Sequence, residues 1–504
     1  MKKIFFFFAF FCSSIISFAQ QPPFIKDSLD NYIKAGIEQW KIPGLAIVIV
    51  KDNKVVAMKG YGVKDIQTNT PVDVNTLFMI ASNSKLFTAT ALSQLEYDKK
   101  LSLDDKITKY FPDYRLYDSV TTQLVTVRDM LSHHLGTKTF QGDFTFWNSN
   151  LTSAEIMNKM RLLKPTQNFR QSFGYCNSCF LTAGMVLEKA SGQTWEQYIT
   201  DSILQPLNMT NTHALGGTMA QMPDVAKPYT NKYTGKLTEL PYDNVDNLAP
   251  AGSIVSCVKD LSHWLLFQLD SGRYEGNQVI PWNVLNHTRQ MQTIINSKKS
   301  MVLPTHFYGD GLGEFQRDYN GRQVYEHTGG ADGFVSNVCF VPEENLGIAI
   351  LTNNDNQEFF EALRYQILDA YLGVANTNRS NQFYKTFKPD FDTTIKNVKK
   401  MEARVIGNKP SLAIENYTGT YNNELYGPIN ITQDGNNLLV HLTNSKNLTA
   451  TLQYMDNDEW LITYSNPAYG IFPLKFKIES GKVVSADIKV NDFLEYDSYT
   501  FVKE

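Results

Sequence analysis

The sequence predicts an α+β fold over its larger N-terminal part, followed by a small all-β unit. Three observations carry this. Apolar strands stand near both ends of the region from about Pro22 to Gly373, amphipathic helical segments fill the space between them, and beyond Leu412 only short strands broken by turn residues are found. The chain has 504 residues, too many for one ordinary hydrophobic core. We divide it into residues 1–19, 20–373, a linker at 374–410, and 411–504.

The opening residues read as a signal peptide. Lys2 and Lys3 precede the apolar run from Ile4 to Ala19, and Ser17-Phe18-Ala19 supplies the small-x-small pattern of a cleavage site. A retained membrane anchor is the alternative, but a span takes about 20 apolar residues and this run is shorter. An exported protein, periplasmic or extracellular, with no membrane span after cleavage is therefore expected.

In the main region, Leu45 to Val50 is a buried strand after Pro43-Gly44, and Val55 to Gly60 pairs with it across an Asp52-Asn53 turn. Leu346 to Thr352 is a second apolar strand. Glu358 to Leu372 has helical spacing, with Phe359, Leu363, Ile367, Leu368 and Tyr371 near one face. The first and last strands are expected to lie in one sheet. Ala375 to Pro389 is polar and irregular, with a connecting helix over Thr386 to Met401. After it, Ile429 to Gln433 and Leu438 to Leu442 flank Asp434-Gly435 as a hairpin, and Trp460 to Tyr464, Leu474 to Ile478 and Val483 to Val490 continue an antiparallel barrel or sandwich.

The formal net charge is −4 and no Lys/Arg block stands out, which argues against a nucleic-acid partner. Cys176 and Cys179 resemble a redox pair or half of a zinc site, but no second Cys-x-x-Cys or spaced His pair completes one, so no metal is expected. Disulfides among Cys176, Cys179, Cys257 and Cys339 remain open.

Chemistry is concentrated in three places. In Ile80-Ala-Ser-Asn-Ser-Lys85, Ser82 and Lys85 stand three apart, a spacing that puts both on one helical face. A lysine amine there reaches the serine hydroxyl and shares its proton, and the helix N-terminus favours the developing negative charge. Tyr175 and Asn177 stand two apart before the helical run Phe180 to Ala190. Tyr175 is suited to proton relay if a cation lowers its pKa, and Asn177 to binding a substrate amide and Lys85. A packed turn tyrosine with Asn177 as a helix cap is the alternative. His327-Thr328-Gly329-Gly330 precedes the strand Phe334 to Val341, and its glycines allow close approach to the main chain; a plain turn is the alternative.

Ser-x-x-Lys, Tyr-x-Asn and His-Thr-Gly in this order resemble the superfamily of serine β-lactamases, penicillin-binding proteins, DD-peptidases and related esterases. Val125 to Gly136, Leu181 to Tyr198, Leu204 to Thr212 and Pro250 to Leu261 resemble the segments between those motifs. The likeness spans about Ile25 to Leu372. It implies an antiparallel sheet flanked by helices plus an all-helical part, and the C-terminal part is similar to small β-barrels appended to some members.

The resemblance implies Ser82 as acylated nucleophile, Lys85 and Tyr175 as proton handlers, and Asn177, His327, Thr328, Gly329 and Gly330 as substrate contacts. It implies Ser82 and Gly330 N–H groups as the oxyanion hole, and no cofactor. A small-molecule or peptide substrate is expected. Two departures stand out: His327 replaces a frequent Lys, and Cys176 a frequent Ser. They disfavour an efficient β-lactamase, the first alternative to a peptidase or esterase; a non-hydrolysing penicillin-binding sensor is the second. His133 and His134 read as packing residues. Phe140 to Asn150 and Asn296 to Gly311 carry no readable pattern, and neither the substrate nor the oligomeric state is encoded legibly.

Overall fold

The computed structural model describes residues 21–375 and 377–504. The expected signal peptide lies outside the described residues. Among those described, no helix is long and apolar enough to cross a membrane.

A nine-stranded antiparallel sheet organises the first part. Its strands in chain order are β1 (Gly44–Lys51), β2 (Lys54–Asp65), β3 (Thr70–Pro71), β4 (Thr293–Asn296), β5 (Tyr308–Asp310), β6 (Phe315–Tyr319), β7 (Arg322–Ala331), β8 (Phe334–Val341) and β9 (Leu346–Thr352). In space they run β4-β5-β6-β7-β8-β9-β1-β2-β3, so the first apolar strand and the last one meet inside the sheet, Leu45 opposite Thr352 and Lys51 opposite Leu346. The β1–β2 turn is Asp52-Asn53, with φ of +51° and +60°. Two left-handed residues make the hairpin turn whose twist matches the strands, and Asp and Asn tolerate it better than most residues.

The unbroken apolar character of β1 has a simple cause: both sheet faces are covered. Leu45, Ile47 and Ile49 pack in one core with α1 (Leu29–Gln39) and a helix near the end of this part, Phe359–Leu372. Ala46, Val48 and Val50 face the other core, which holds α2 (Ser84–Tyr97), α3 (Asn177–Ser191) and α4 (Val258–Leu269). Phe87 of α2 and Trp264 of α4 stack there at 4.1 Å.

With the helix Phe359–Leu372 as α5, the next one, α6, runs Arg379–Glu402 through Pro389. It starts well before the expected Thr386 and replaces the irregular stretch read from polarity. Tertiary contacts fix it: the Arg379 guanidinium pairs with buried Asp369 at 2.7 Å, and Trp40 packs on Tyr384 and Phe387, each at 5.0 Å. A surface-like composition thus hides a helix held by its neighbours.

The C-terminal strands close into an eight-stranded barrel, deciding between barrel and sandwich. They are β10 (Gly419–Asn423), β11 (Gly427–Asp434), β12 (Asn437–Leu442), β13 (Thr449–Tyr454), β14 (Glu459–Tyr464), β15 (Ile471–Glu479), β16 (Lys482–Ile488) and β17 (Tyr499–Lys503). Pairing of β17 with β10 completes the ring and leaves no open edge.

The barrel is anchored to the first part at the segment that carries the unreadable stretch 140–150. Phe144 is fully buried in the barrel core, 4.8 Å from Tyr426 and 5.2 Å from Tyr499 between ring centres. Burying such a ring is worth about 1.5–3 kcal/mol. Glu495 accepts the N–H groups of Gly142 (2.8 Å) and Phe144 (3.3 Å), Asn444 donates to Thr145 O at 2.9 Å, and Asn466 donates to Asp332 at 2.9 Å.

Candidate active site

Ser82 lies in a 3-10 turn, Ala81–Asn83, that leads directly into α2. Lys85 is in the first turn of α2, so the expected alignment of the two side chains, three residues apart, is made across the junction of the 3-10 turn and the helix. Ala81 has a φ of +46°, a left-handed conformation that surrounding bonds must hold. Ile80 N–H donates to Ile254 O at 2.9 Å, and Ile254 N–H donates to Ser84 Oγ at 3.0 Å. From the sheet side, the Asn83 carboxamide donates to His327 O at 2.9 Å and accepts Gly329 N–H at 3.3 Å. Gly329 permits this approach, since a β-carbon there would meet Ile80 O at 1.9 Å.

Lys85 is fully buried. Its Nζ lies 3.1 Å from Ser82 Oγ and donates to Asn177 Oδ1 and Ala251 O at 2.7 Å each. Those two oxygens can only accept. A neutral amine that gives its two hydrogens to them points its lone pair at the Ser82 hydroxyl. Burial favours this neutral form and pulls Lys85 down to about 7, against the opposing pull of the Asp143 carboxyl.

Asn177 is the first residue of α3, and the residue at the cap is Cys176, which makes no side-chain cap bond. The capping alternative for Asn177 therefore does not hold. Its carboxamide bridges instead, with Oδ1 on Lys85 and Nδ2 donating to Asp143 Oδ2 at 2.7 Å. Asp143 fixes which end of the amide faces the lysine. Burial raises the Asp143 carboxyl well above its usual range, and the nearby Glu495 adds to the effect.

Tyr175 places its ring centre 4.8 Å from Lys85 Nζ and its hydroxyl 3.5 Å from His327 Nε2. The expected lowering of this phenol is not found: burial pushes Tyr175 well up, so the resting group is a neutral O–H. His327 Nδ1 lies 2.8 Å from Thr328 O. A carbonyl only accepts, so Nδ1 carries the hydrogen and Nε2 is a free acceptor facing Tyr175. Burial and the neighbouring Lys85 drive His327 down to about 3 and keep it uncharged. Thr328 Oγ1 accepts from Asn337 Nδ2 at 3.0 Å.

The expected residues thus converge on one place. Ser82, Lys85, Tyr175, Asn177 and His327 meet, and Thr328, Gly329 and Gly330 continue β7 past the Ser82 turn. Strand β6 pairs with β7 only up to Phe315 opposite Glu326, whereas β8 pairs with β7 as far as Ala331. Among the described residues no strand covers His327–Ala331 on the β6 side, so that edge of β7 is open.

Sequence reasoning missed three supports. Asp143 comes from the stretch without a readable pattern, and Ala251 contributes a main-chain carbonyl that any residue offers. His133, expected only to pack, stacks on Tyr175 at 4.4 Å and accepts Cys176 N–H on Nδ1 at 3.0 Å, which fixes the backbone between Tyr175 and Asn177. Cys176, Cys179, Cys257 and Cys339 are all free and buried. Among the described residues no three His, Cys, Asp or Glu side chains cluster to hold a metal ion.

A serine and a buried lysine beneath the free edge of a helix-covered antiparallel sheet define the class, and the chain belongs to the Beta-lactamase family, whose model matches residues 29–372. Residues 403–503 match a second model, described as a domain of unknown function (DUF3471). Among similar proteins, Protein flp of Staphylococcus aureus is 25% identical over 371 residues, covering 72% of this chain and 70% of that one. The unguisins hydrolase of Aspergillus campestris is 25% identical over 425 residues, covering 80% and 77%. The octameric penicillin-binding protein homologue from Pyrococcus abyssi shares the fold, with a TM-score of 0.60 at 22% identity, over 94% of this chain and 99% of that one.

Proposed function

We propose that the protein is an exported serine hydrolase that cleaves an ester or amide through an acyl-enzyme on Ser82. The observation that carries the reading is the Lys85 amine, buried, 3.1 Å from Ser82 Oγ, with its other two partners able only to accept. Lys85 takes the hydroxyl proton as Ser82 Oγ bonds to the substrate carbonyl carbon. The oxyanion is received by the N–H groups of Ser82 and Gly330. The proton that Lys85 took passes through the Tyr175 hydroxyl to the leaving group as the scissile bond breaks, which returns Lys85 to its neutral form. Water then attacks the acyl carbonyl, gives its proton back through Lys85, and releases the acid with Ser82 restored.

Peptides containing D-amino acids and simple esters are the proposed substrates. The hydrolase named among the relatives supports turnover over a sensing role. The uncharged His327 offers no cation to a β-lactam carboxylate, which weighs against the β-lactamase reading. Export rests on Lys2-Lys3 and the apolar run behind them. N-terminal sequencing of protein from the cell envelope should start at Gln20, and an intact Met1 there would refute it.

The base must be unprotonated to act, and its free fraction grows as pH rises through its folded pKa of about 7. We therefore expect kcat/KM for p-nitrophenyl acetate to climb about tenfold per pH unit below that value and to level off above it. A profile flat from pH 5 to 9 would exclude Lys85 as the base.

A further inference from the structure

Gly329 and Gly330 face opposite sides of β7, and their missing side chains make room for different partners. At Gly329 the partner is the Ser82 turn. At Gly330 it is an aromatic ring from the barrel: a β-carbon there would lie 2.1 Å from Phe493 Cζ. Phe493 stands in the loop between β16 and β17, far along the chain from Gly330.

That loop is held firmly. Asn491 N–H donates to Tyr469 O at 3.0 Å, and the Asn491 carboxamide donates to Ala468 O at 3.0 Å and accepts from Lys232 at 2.6 Å. Glu495 bonds the Gly142 and Phe144 N–H groups and accepts from the Tyr499 hydroxyl at 3.0 Å, and Asp497 pairs with Lys138 at 2.8 Å. Yet the two rings the loop presents remain open: Phe493 is 45% and Tyr496 53% exposed. Phe140 links them to the site, with ring centres 5.5 Å from Tyr175, 6.4 Å from Phe493 and 5.8 Å from Tyr496.

An apolar wall therefore runs from Tyr175 to Gly330, and exposed aromatic surface of this kind beside a reactive serine is suited to binding. The ends of the cleft are distinguishable. Tyr175 and His327 mark where the leaving group collects its proton. Gly330 lies three residues beyond His327 on the strand, about 10 Å away at 3.3 Å per residue, so a substrate whose leaving group is at Tyr175 and His327 would extend its acyl group towards Gly330.

We propose that Phe493, with Phe140 and Tyr496, forms an aromatic subsite, built jointly by the barrel and the first part of the chain, that binds an uncharged apolar or aromatic acyl group of the substrate. Phe493 is then a specificity-determining residue contributed by the C-terminal barrel. The inference rests on the Ser82 hydrolase reading.

The test compares kcat/KM for p-nitrophenyl phenylacetate and p-nitrophenyl acetate, using the full chain as wild type, Phe493→Ala, Phe493→Tyr and Ser82→Ala, with thermal melting to verify folding. The wild type should favour phenylacetate by about tenfold or more, the scale set by a well-fitted apolar group. Phe493→Ala should bring the ratio close to one, and Phe493→Tyr should keep it. A wild type without preference, or a ratio that Phe493→Ala leaves unchanged or raises, would overturn the subsite while leaving Ser82-dependent hydrolysis standing. Turnover of neither ester by Ser82 would overturn the hydrolase reading and the subsite with it.

Discussion

Ser82→Ala is expected to lower kcat for ester hydrolysis by about 10⁴-fold or more, the scale on which loss of a nucleophile acts. The hydroxyl oxygen is the atom that bonds the substrate carbon in the proposed reaction. The Ser82 hydroxyl meets the Lys85 amine at 3.1 Å and the Tyr175 hydroxyl, both groups of the site itself, so its removal disturbs little of the surrounding fold. The turn that holds residue 82 is built from Ile80, Asn83, Ser84 and Ile254 and survives the change. The melting temperature should stay within about 2 °C of wild type, as for a small substitution that opens no large cavity. Steady-state rates and a melting curve on one preparation check both parts. Residual activity of a few per cent in a pure variant would place the chemistry elsewhere.

Lys85→Ala should cost about 10³-fold in kcat, within the range that a general base supplies. It should also destabilise the fold, because Asn177 Oδ1 and Ala251 O lose a buried donor, at about 1–3 kcal/mol for each group left unpaired. Stability and chemistry are separated by Lys85→Arg. A guanidinium can still donate to those oxygens but stays charged and accepts no proton. We expect Lys85→Arg to regain part of the melting temperature and none of the rate. Recovery of rate with Arg would reduce Lys85 to a positioning cation.

How much of this was legible in the sequence depends on how local each signal is. Ser82 and Lys85, Tyr175 and Asn177, and His327 to Gly330 are short motifs, and the strands that carry them have apolar runs long enough to read. The Asp52-Asn53 turn shows itself because both residues tolerate a positive φ. Asp143 reaches Asn177 across 34 residues, from a segment shaped by the burial of Phe144 in the barrel, and nothing local announces it. Helix α6 was half hidden for the same reason, since Arg379 and Pro389 suit a helix only once Asp369 and Trp40 are in place. Strands β10, β13 and β17 were not read at all. Their outward faces carry Thr, Asn, Gln and Lys, and a five- or six-residue strand with one polar face leaves a weak alternation. Phe493 is the furthest case, an ordinary loop residue whose significance exists only opposite Gly330.

The states of the titratable groups were the least legible of all. Lysine is ordinarily a cation and histidine half-charged near neutrality, yet burial reverses the emphasis here, leaving Lys85 poised near 7 and His327 neutral. Sequence places those residues near a serine. Only the packed interior decides which of them can take its proton.

The central claim, that Ser82 is the group acylated, is tested most directly by intact mass spectrometry after incubation with an alkyl fluorophosphonate, followed by peptide mapping. In that reaction the serine oxygen bonds phosphorus and fluoride leaves, giving an adduct that water does not readily remove. The account predicts one adduct per wild-type chain, located on Ser82, and none on Ser82→Ala. An unlabelled but folded wild type, or equal labelling of the two proteins, would contradict it.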